Sequence, residues 1–281
     1  MTPADLQRVH AECAEGARRI TVIHDTSVGS VLVKWQQPRR PAGRYRLLNA
    51  IAALVRLPLL RASLTQGGPE AQAAEVRRLR TLASAGLPVP ELLHVDSRFF
   101  VLRFVFGRRL DKLLQREDAQ AVEWWRRGLQ SLSHVHAQGQ ALSQAFTRNF
   151  IAADGKLVMF DFEDDPLELM SLPQAQARDW LAYLHSTARE LAPAHLARTE
   201  QLLPALRHAL ANDGAAVRDL VHRTARRMAW LRHVPVDRTR ARRGWRRQLL
   251  VLKDAVGLAL AATDPRGRTA DSSEVTHARH H

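Results

Sequence analysis

Arg148-Asn149-Phe150-Ile151, followed by Asp154-Gly155-Lys156-Leu157-Val158-Met159-Phe160-Asp161-Phe162-Glu163, is the stretch from which the rest of the chain is best read. Asp154-Gly155 between two apolar runs is a two-residue hairpin signal. Leu157 to Phe160 then form a short strand, with Asp161 where that strand ends. An Asn just before a hairpin and an Asp just after it can converge on one point. Two oxygen-bearing side chains held in this way, with waters and phosphate oxygens completing the shell, suit Mg²⁺. The plain alternative is an ordinary hairpin whose Asn149 and Asp161 are turn residues.

Composition limits the setting. A chain of 281 residues that is 46% hydrophobic can build one large domain or two lobes sharing a cleft. Cys13 is the only cysteine, so no intrachain disulfide forms and a reducing interior fits. Residues 1 to 20 carry acids and arginines and no apolar run of the secretory type. No uncharged apolar stretch reaches the roughly 18 residues of a membrane span; Leu249 to Ala262 is broken by Lys253-Asp254. A formal charge of +14 invites a nucleic-acid partner. That reading is discounted, because only four of the 42 basic residues are lysines in a chain crowded with Ala, Leu and Arg. Where arginine is the default cation, a lysine inside a strand needs a reason.

Upstream of the hairpin, Arg19 to Ile23 and Val31 to Trp35 read as strands around a turn that holds Gly29, and Lys34 ends the Val-Leu-Val run. The plain role for Lys34 is an edge-strand lysine facing water. Pro69 to Ala85 reads as a helix, opened by Pro69 and closed by Gly86, Pro88 and Pro90. Glu75, Leu79 and Leu82 share its stripe, with Arg77, Arg78 and Arg80 turned away. A carboxylate on an apolar stripe calls for a partner; Glu70, in the first turn, is explained by the helix dipole and is the fallback. Two strands, Glu91 to Val95 and Phe99 to Phe104, precede Val105-Phe106-Gly107 and a helix from Asp111. Ala119 to Gln138 is a long helix with Val122, Trp125, Leu129, Leu132 and Val135 inward. His134 and His136 near its end stand two apart and point different ways, so they do not form a metal pair.

In order and spacing, these stretches resemble the protein-kinase-like fold, specifically its bacterial branch of lipopolysaccharide (Kdo/heptose) kinases and aminoglycoside-phosphotransferase-like proteins. The resemblance covers roughly residues 20 to 190 and rests on degenerate motifs. It implies an α+β, bilobal fold. A small antiparallel-sheet N-lobe with one main helix would span 1–105, a mostly helical C-lobe 106–263, and a polar, disordered tail 264–281. It implies ATP and Mg²⁺ as ligands. Lys34 would hold the ATP phosphates and Glu75 would orient Lys34. The turn at Gly29 would cover ATP, and backbone amides from Phe104 to Phe106 would meet adenine. Asn149 and Asp161, in a triplet Asp161-Phe162-Glu163 of the DFG type, would hold Mg²⁺.

One position departs from the family. The pattern His-x-Asp-x-x-x-x-Asn, counted back from Asn149, puts Gln144 where the catalytic Asp should be and Leu142 where the His should be. A neutral amide cannot act as a general base. Gln144 then either orients the acceptor hydroxyl for base-independent turnover, or marks a pseudokinase that binds without transferring. Arg148, beside Asn149, would neutralise phosphate in either case.

Two arginine-rich regions remain. An insertion over about 38–66 contains a basic amphipathic helix with Leu47, Ile51, Leu54 and Val55 on one face; it either packs on the N-lobe or lies on an anionic membrane. The C-terminal helices, expected over Gln174–Leu191, Ala194–Leu210, Ala215–His233 and Arg240–Ala262, carry many arginines on a solvated face, with Trp230 and Trp245 expected in the core. The alternative there is a glycan or nucleic-acid surface. Asp164-Asp165 before Pro166 either supports the metal site or, as the preferred reading, forms a turn. The resulting expectation is an ATP-Mg²⁺-dependent phosphotransferase whose hydroxyl acceptor is a lipopolysaccharide-type sugar or lipid. It would be cytoplasmic, with peripheral contact to the inner membrane left open. The rivals are a pseudokinase scaffold and, third, a basic nucleic-acid binder.

Overall fold

The computed structural model describes residues 1–14, 19–38, 59, 67–162, 165–236 and 244–264. The chain is α+β, with small antiparallel sheets in its N-terminal and middle parts and a helical C-terminal part. After helix α1 (Pro3–Ala14), strands β1 (Ile20–Thr26) and β2 (Gly29–Trp35) form a hairpin. Helix α2 (Gly68–Ser84) follows, then β3 (Leu92–Val95) and β4 (Phe99–Arg103). The sheet order is β1-β2-β4-β3, antiparallel throughout.

Alternation along the strands gives this sheet two apolar faces. Val31, Val33, Phe99 and Val101 pack with Ile23 and with Val9 of α1 on one side. Phe100 and Leu102 join Val76, Leu79 and Leu82 of α2 in the main core on the other. Lys34 pairs with Phe100 across the ladder and so shares the α2 side. The period of the strand, rather than any property of lysine, aims that cation inward.

The hairpin around Asp154-Gly155 is present, as β6 (Phe150–Ala153) and β7 (Lys156–Met159). Asp154 and Gly155 have φ of 48° and 75°, the left-handed pair that a two-residue turn requires. A two-residue strand, β5 (Arg108–Arg109), adds to β6 and makes a second, three-stranded sheet. Gly107 permits this pairing: a Cβ there would lie 2.2 Å from the Ala152 carbonyl oxygen.

Helices α3 (Leu110–Leu114), α4 (Ala119–Ala137), α5 (Leu172–Glu190), α6 (Pro193–Leu196), α7 (Thr199–Asn212), α8 (Ala215–Arg227) and α9 (Gly244–Thr263) complete the described chain, with short 3₁₀ turns between some of them. The segment expected as one helix over Ala194–Leu210 is two, and the helix expected to run to His233 gives way to a 3₁₀ turn over Ala229–His233. Trp125, Trp180 and Tyr183 are fully buried where α4 meets α5. Trp230 and Trp245, expected in the core, are 63% and 69% exposed. Arg78, expected to face water, is 3% exposed because it reaches the loop after α4.

The amphipathic helix expected within the insertion lies outside the described residues, as do Glu163, Asp164 and 265–281. Leu59, the one described residue of the insertion's middle, is 1% exposed in the main core. Among the described residues no helix is long and apolar enough to cross a membrane.

Candidate functional site

Lys34, turned toward α2 by the strand period, meets two carboxylates there. Its Nζ donates to Glu75 Oε1 at 2.6 Å and to Asp161 Oδ1 at 2.7 Å. Lys34 and Glu75 are 8% and 5% exposed, so both ions have left water and depend on each other. Burial pushes the Glu75 carboxyl above its usual range, and the Lys34 ammonium opposes that shift. Glu70 is exposed in the first turn of α2, so Glu75 is the acid that reaches Lys34. Arg19 Nη2 lies 3.8 Å from Asp161 Oδ1. One lysine between two carboxylates leaves a net negative charge, and Arg19 offsets it.

Asn149 and Asp161 flank the β6–β7 hairpin. Phe150 pairs with Met159, and the Phe160 amide donates to the Asn149 carbonyl at 3.1 Å, so the two side chains stand just beyond the ends of the ladder. Asp161 adopts φ 70°, an uncommon conformation for a residue with a Cβ. Asn149 Nδ2 donates to the Gln144 carbonyl at 3.0 Å, which leaves Oδ1 as its acceptor atom. The donor chemistry is therefore an amide oxygen and a carboxylate. Such a pair fits Mg²⁺, which prefers oxygen and takes few protein ligands when phosphates and waters supply the rest.

The loop between α4 and Asn149 is fastened from below. Asp179 of α5, fully buried, accepts from the Leu142 amide at 2.5 Å and from His136 Nε2 at 3.4 Å. His136 Nδ1 donates to Asp213, which also accepts from Trp180 Nε1. Burial alone would lower the His136 pKa, but the bonds to Asp179 and Asp213 outweigh it and raise the value above the ordinary 6.5. Arg78 grips the same loop, donating to the Ala141 carbonyl and, at 3.3 Å, to Gln140 Oε1. Gln176 Nε2 bonds the carbonyls of His136 and Gln140 at 3.1 and 3.2 Å.

Sequence reasoning gave no role to Arg78, His136, Asp179 or Asp213. The usable signal was periodicity. Asp179 stands one helical turn from Ala175 and Tyr183, and His136 four residues after Leu132, so both polar groups lie on apolar faces.

The other expected site residues are spread more widely. Gln144 is half-buried, its carbonyl bonded by the amides of Asn149 and Phe146. Arg148 is exposed, its guanidinium 4.5 Å above the Phe146 ring. Gly29 sits at the β1–β2 turn with φ 85°, five residues and so roughly 17 Å along the strand from Lys34. The Phe104 amide, expected to be free for a ligand, donates to the Ser30 carbonyl at 3.0 Å. Phe106 is 66% exposed, and its ring packs edge-on to Phe104.

No protein-family model matches this chain, and no curated protein does. Its chemistry rests on the side chains themselves. They are a buried ammonium pinned by a buried carboxylate, and an oxygen pair on a hairpin beside a loop that a polar network holds still.

Proposed function

We propose that the chain is a bilobal, protein-kinase-like phosphotransferase that moves the γ-phosphate of ATP to a hydroxyl. The observation that carries this reading is the meeting of Lys34, Glu75 and Asp161, which come from β2, from α2 and from the end of the β6–β7 hairpin. A salt bridge needed only for stability would be served as well by apolar packing. A lysine shared between an orienting acid and an acid exposed enough to take a cation suits phosphate binding better.

In this reading Lys34 holds the α- and β-phosphates and Glu75 fixes its rotamer. Asn149 and Asp161 would hold Mg²⁺, which supplies charge neutralisation to the phosphates when bound. Gln144 accepts a hydrogen bond from the acceptor hydroxyl and aims its oxygen at the γ-phosphorus. A bond forms between that oxygen and phosphorus, the bond from phosphorus to the β–γ bridging oxygen breaks, and ADP leaves. The hydroxyl proton passes to a phosphate oxygen or to water, because Gln144 cannot take it. Transfer of this type is chiefly positioning and charge stabilisation, so a missing base slows it without forbidding it.

The acceptor in this reading is a lipopolysaccharide-type sugar or lipid, met in the cytoplasm or at the inner face of a membrane. Gln144 also favours a second reading, a pseudokinase that binds nucleotide and partners without transfer. Single-turnover assays with γ-labelled ATP on wild type and Asp161→Ala separate the two. Label transfer lost in the variant supports the enzyme, and thermal stabilisation by Mg²⁺-ATP without transfer supports the pseudokinase.

A further inference from the structure

Ser143 and Gln144 line a pocket of about 360 Å³ that, among the described residues, is walled by α5, α8 and α9 and by Leu59. Its walls are chiefly apolar, with Leu181, Ala225, Leu252 and Val256 among them. That volume is within the range of small-molecule sites, and the mixture of apolar wall and few polar atoms is typical of them. Ser143 is 2% exposed, and its Oγ is buried with no hydrogen-bond partner among the described residues. Its backbone is at φ 69°, a conformation that residues with a Cβ seldom adopt. A buried hydroxyl without a partner is expensive, and a ligand that bonds it recovers that cost. The other polar groups on the wall are Thr224, Arg178 and His185, whose pKa is lowered by burial and by Arg189 and Arg148 nearby.

We infer that this pocket takes the apolar body of a hydroxyl-bearing acceptor, with Ser143 Oγ and the Gln144 amide holding the hydroxyl. The inference rests on the phosphotransferase reading for the word acceptor, and it narrows that acceptor to a lipid-type alcohol rather than a free sugar. The wall explains the choice. A sugar would leave several of its hydroxyls against Leu181, Leu252 and Val256 without partners, whereas an alkyl or alicyclic body loses nothing there.

Calorimetric titration of the full chain, without nucleotide, tests this with a series of 1-alkanols and with glucose. Expected are saturable alkanol binding that tightens about fourfold per added methylene until the pocket is full, and no binding of glucose. Ser143→Gly, which removes the hydroxyl and suits the positive φ, should weaken 1-octanol about three- to tenfold. Ala255→Phe, which fills the pocket, should weaken it more than tenfold; Ala182→Phe serves if the first variant does not fold. Failure of 1-octanol to bind, or equal binding by wild type and folded pocket-filling variants, overturns the inference, as does binding of glucose in its place. If 1-octanol binds and depends on Ser143 while Mg²⁺-ATP gives no thermal shift, the pocket stands and the phosphotransferase reading fails.

Discussion

Lys34 and Asp161, 127 positions apart in the chain, meet at 2.7 Å, and Glu75 on α2 holds the same ammonium from the other side at 2.6 Å. The three groups belong to different elements, so none of them can be moved without disturbing the others. A buried cation between two acids is also sensitive to the loss of either.

Removing Lys34 strands Glu75. Lys34→Ala is expected to destabilise the fold by about 3–5 kcal/mol, the usual cost of leaving a buried charge without its partner. Burial already raises the Glu75 pKa, and loss of Lys34 raises it further. A carboxyl whose folded pKa lies above its unfolded value contributes stability at low pH and loses it as pH rises through the folded value. The defect of Lys34→Ala should therefore be largest near pH 8 and smaller near pH 5 in denaturant titrations. The double variant Lys34→Met, Glu75→Leu should recover most of the lost stability.

Binding of nucleotide is tested separately from stability. At Mg²⁺-ATP concentrations about 100 times Kd, wild type should gain about 2.7 kcal/mol, roughly 5 °C or more in melting temperature for a chain of this size. Asp161→Ala should lose the magnesium-dependent part of that gain and Asn149→Ala should reduce it. Equal shifts in wild type and Asp161→Ala would show that the hairpin oxygens do not hold the ion.

Gln144→Asp places a base where the neutral amide stands. If chemistry limits turnover, the variant should transfer phosphate about 10²-fold faster or more, with the acceleration lost below the pKa of the new carboxyl. An unchanged rate with intact nucleotide binding would favour the pseudokinase reading.

His136 supplies a pH-dependent support for the loop. Its folded pKa lies above 6.5, so its bonds to Asp179 and Asp213 contribute fully below the unfolded value and are lost as pH rises through the folded one. His136→Gln should flatten the alkaline side of the stability profile. Amide exchange at Leu142, whose N–H is bonded to Asp179, should quicken in Asp179→Ala at any pH.

Where α4 crosses α5, Gly128 is required by contact rather than by conformation. A Cβ at this position would lie 2.0 Å from Tyr183 Oη, the atom that donates to the Trp125 carbonyl at 2.8 Å. Gly128→Ala should cost about 1–3 kcal/mol in thermal or denaturant unfolding, and Tyr183→Phe in the same chain should return part of it.

The features legible without coordinates were those written in local pattern. Asp154-Gly155 fixed a turn because only a pair tolerant of positive φ closes a two-residue hairpin, and that turn placed Asn149 and Asp161 at its two ends. Pro69 and Gly86 bounded α2, and an acid on its apolar stripe announced a partner. Tertiary structure decided the remainder. The inward aim of Lys34 depends on which sheet face α2 covers. The burial of Arg78 and His136 depends on a loop that returns over them, and the exposure of Trp230 and Trp245 on helices that leave them uncovered. Local periodicity says which residues share a face. Only the packing of distant segments says what that face meets, because desolvation and ion pairing are set by neighbours far away in the chain.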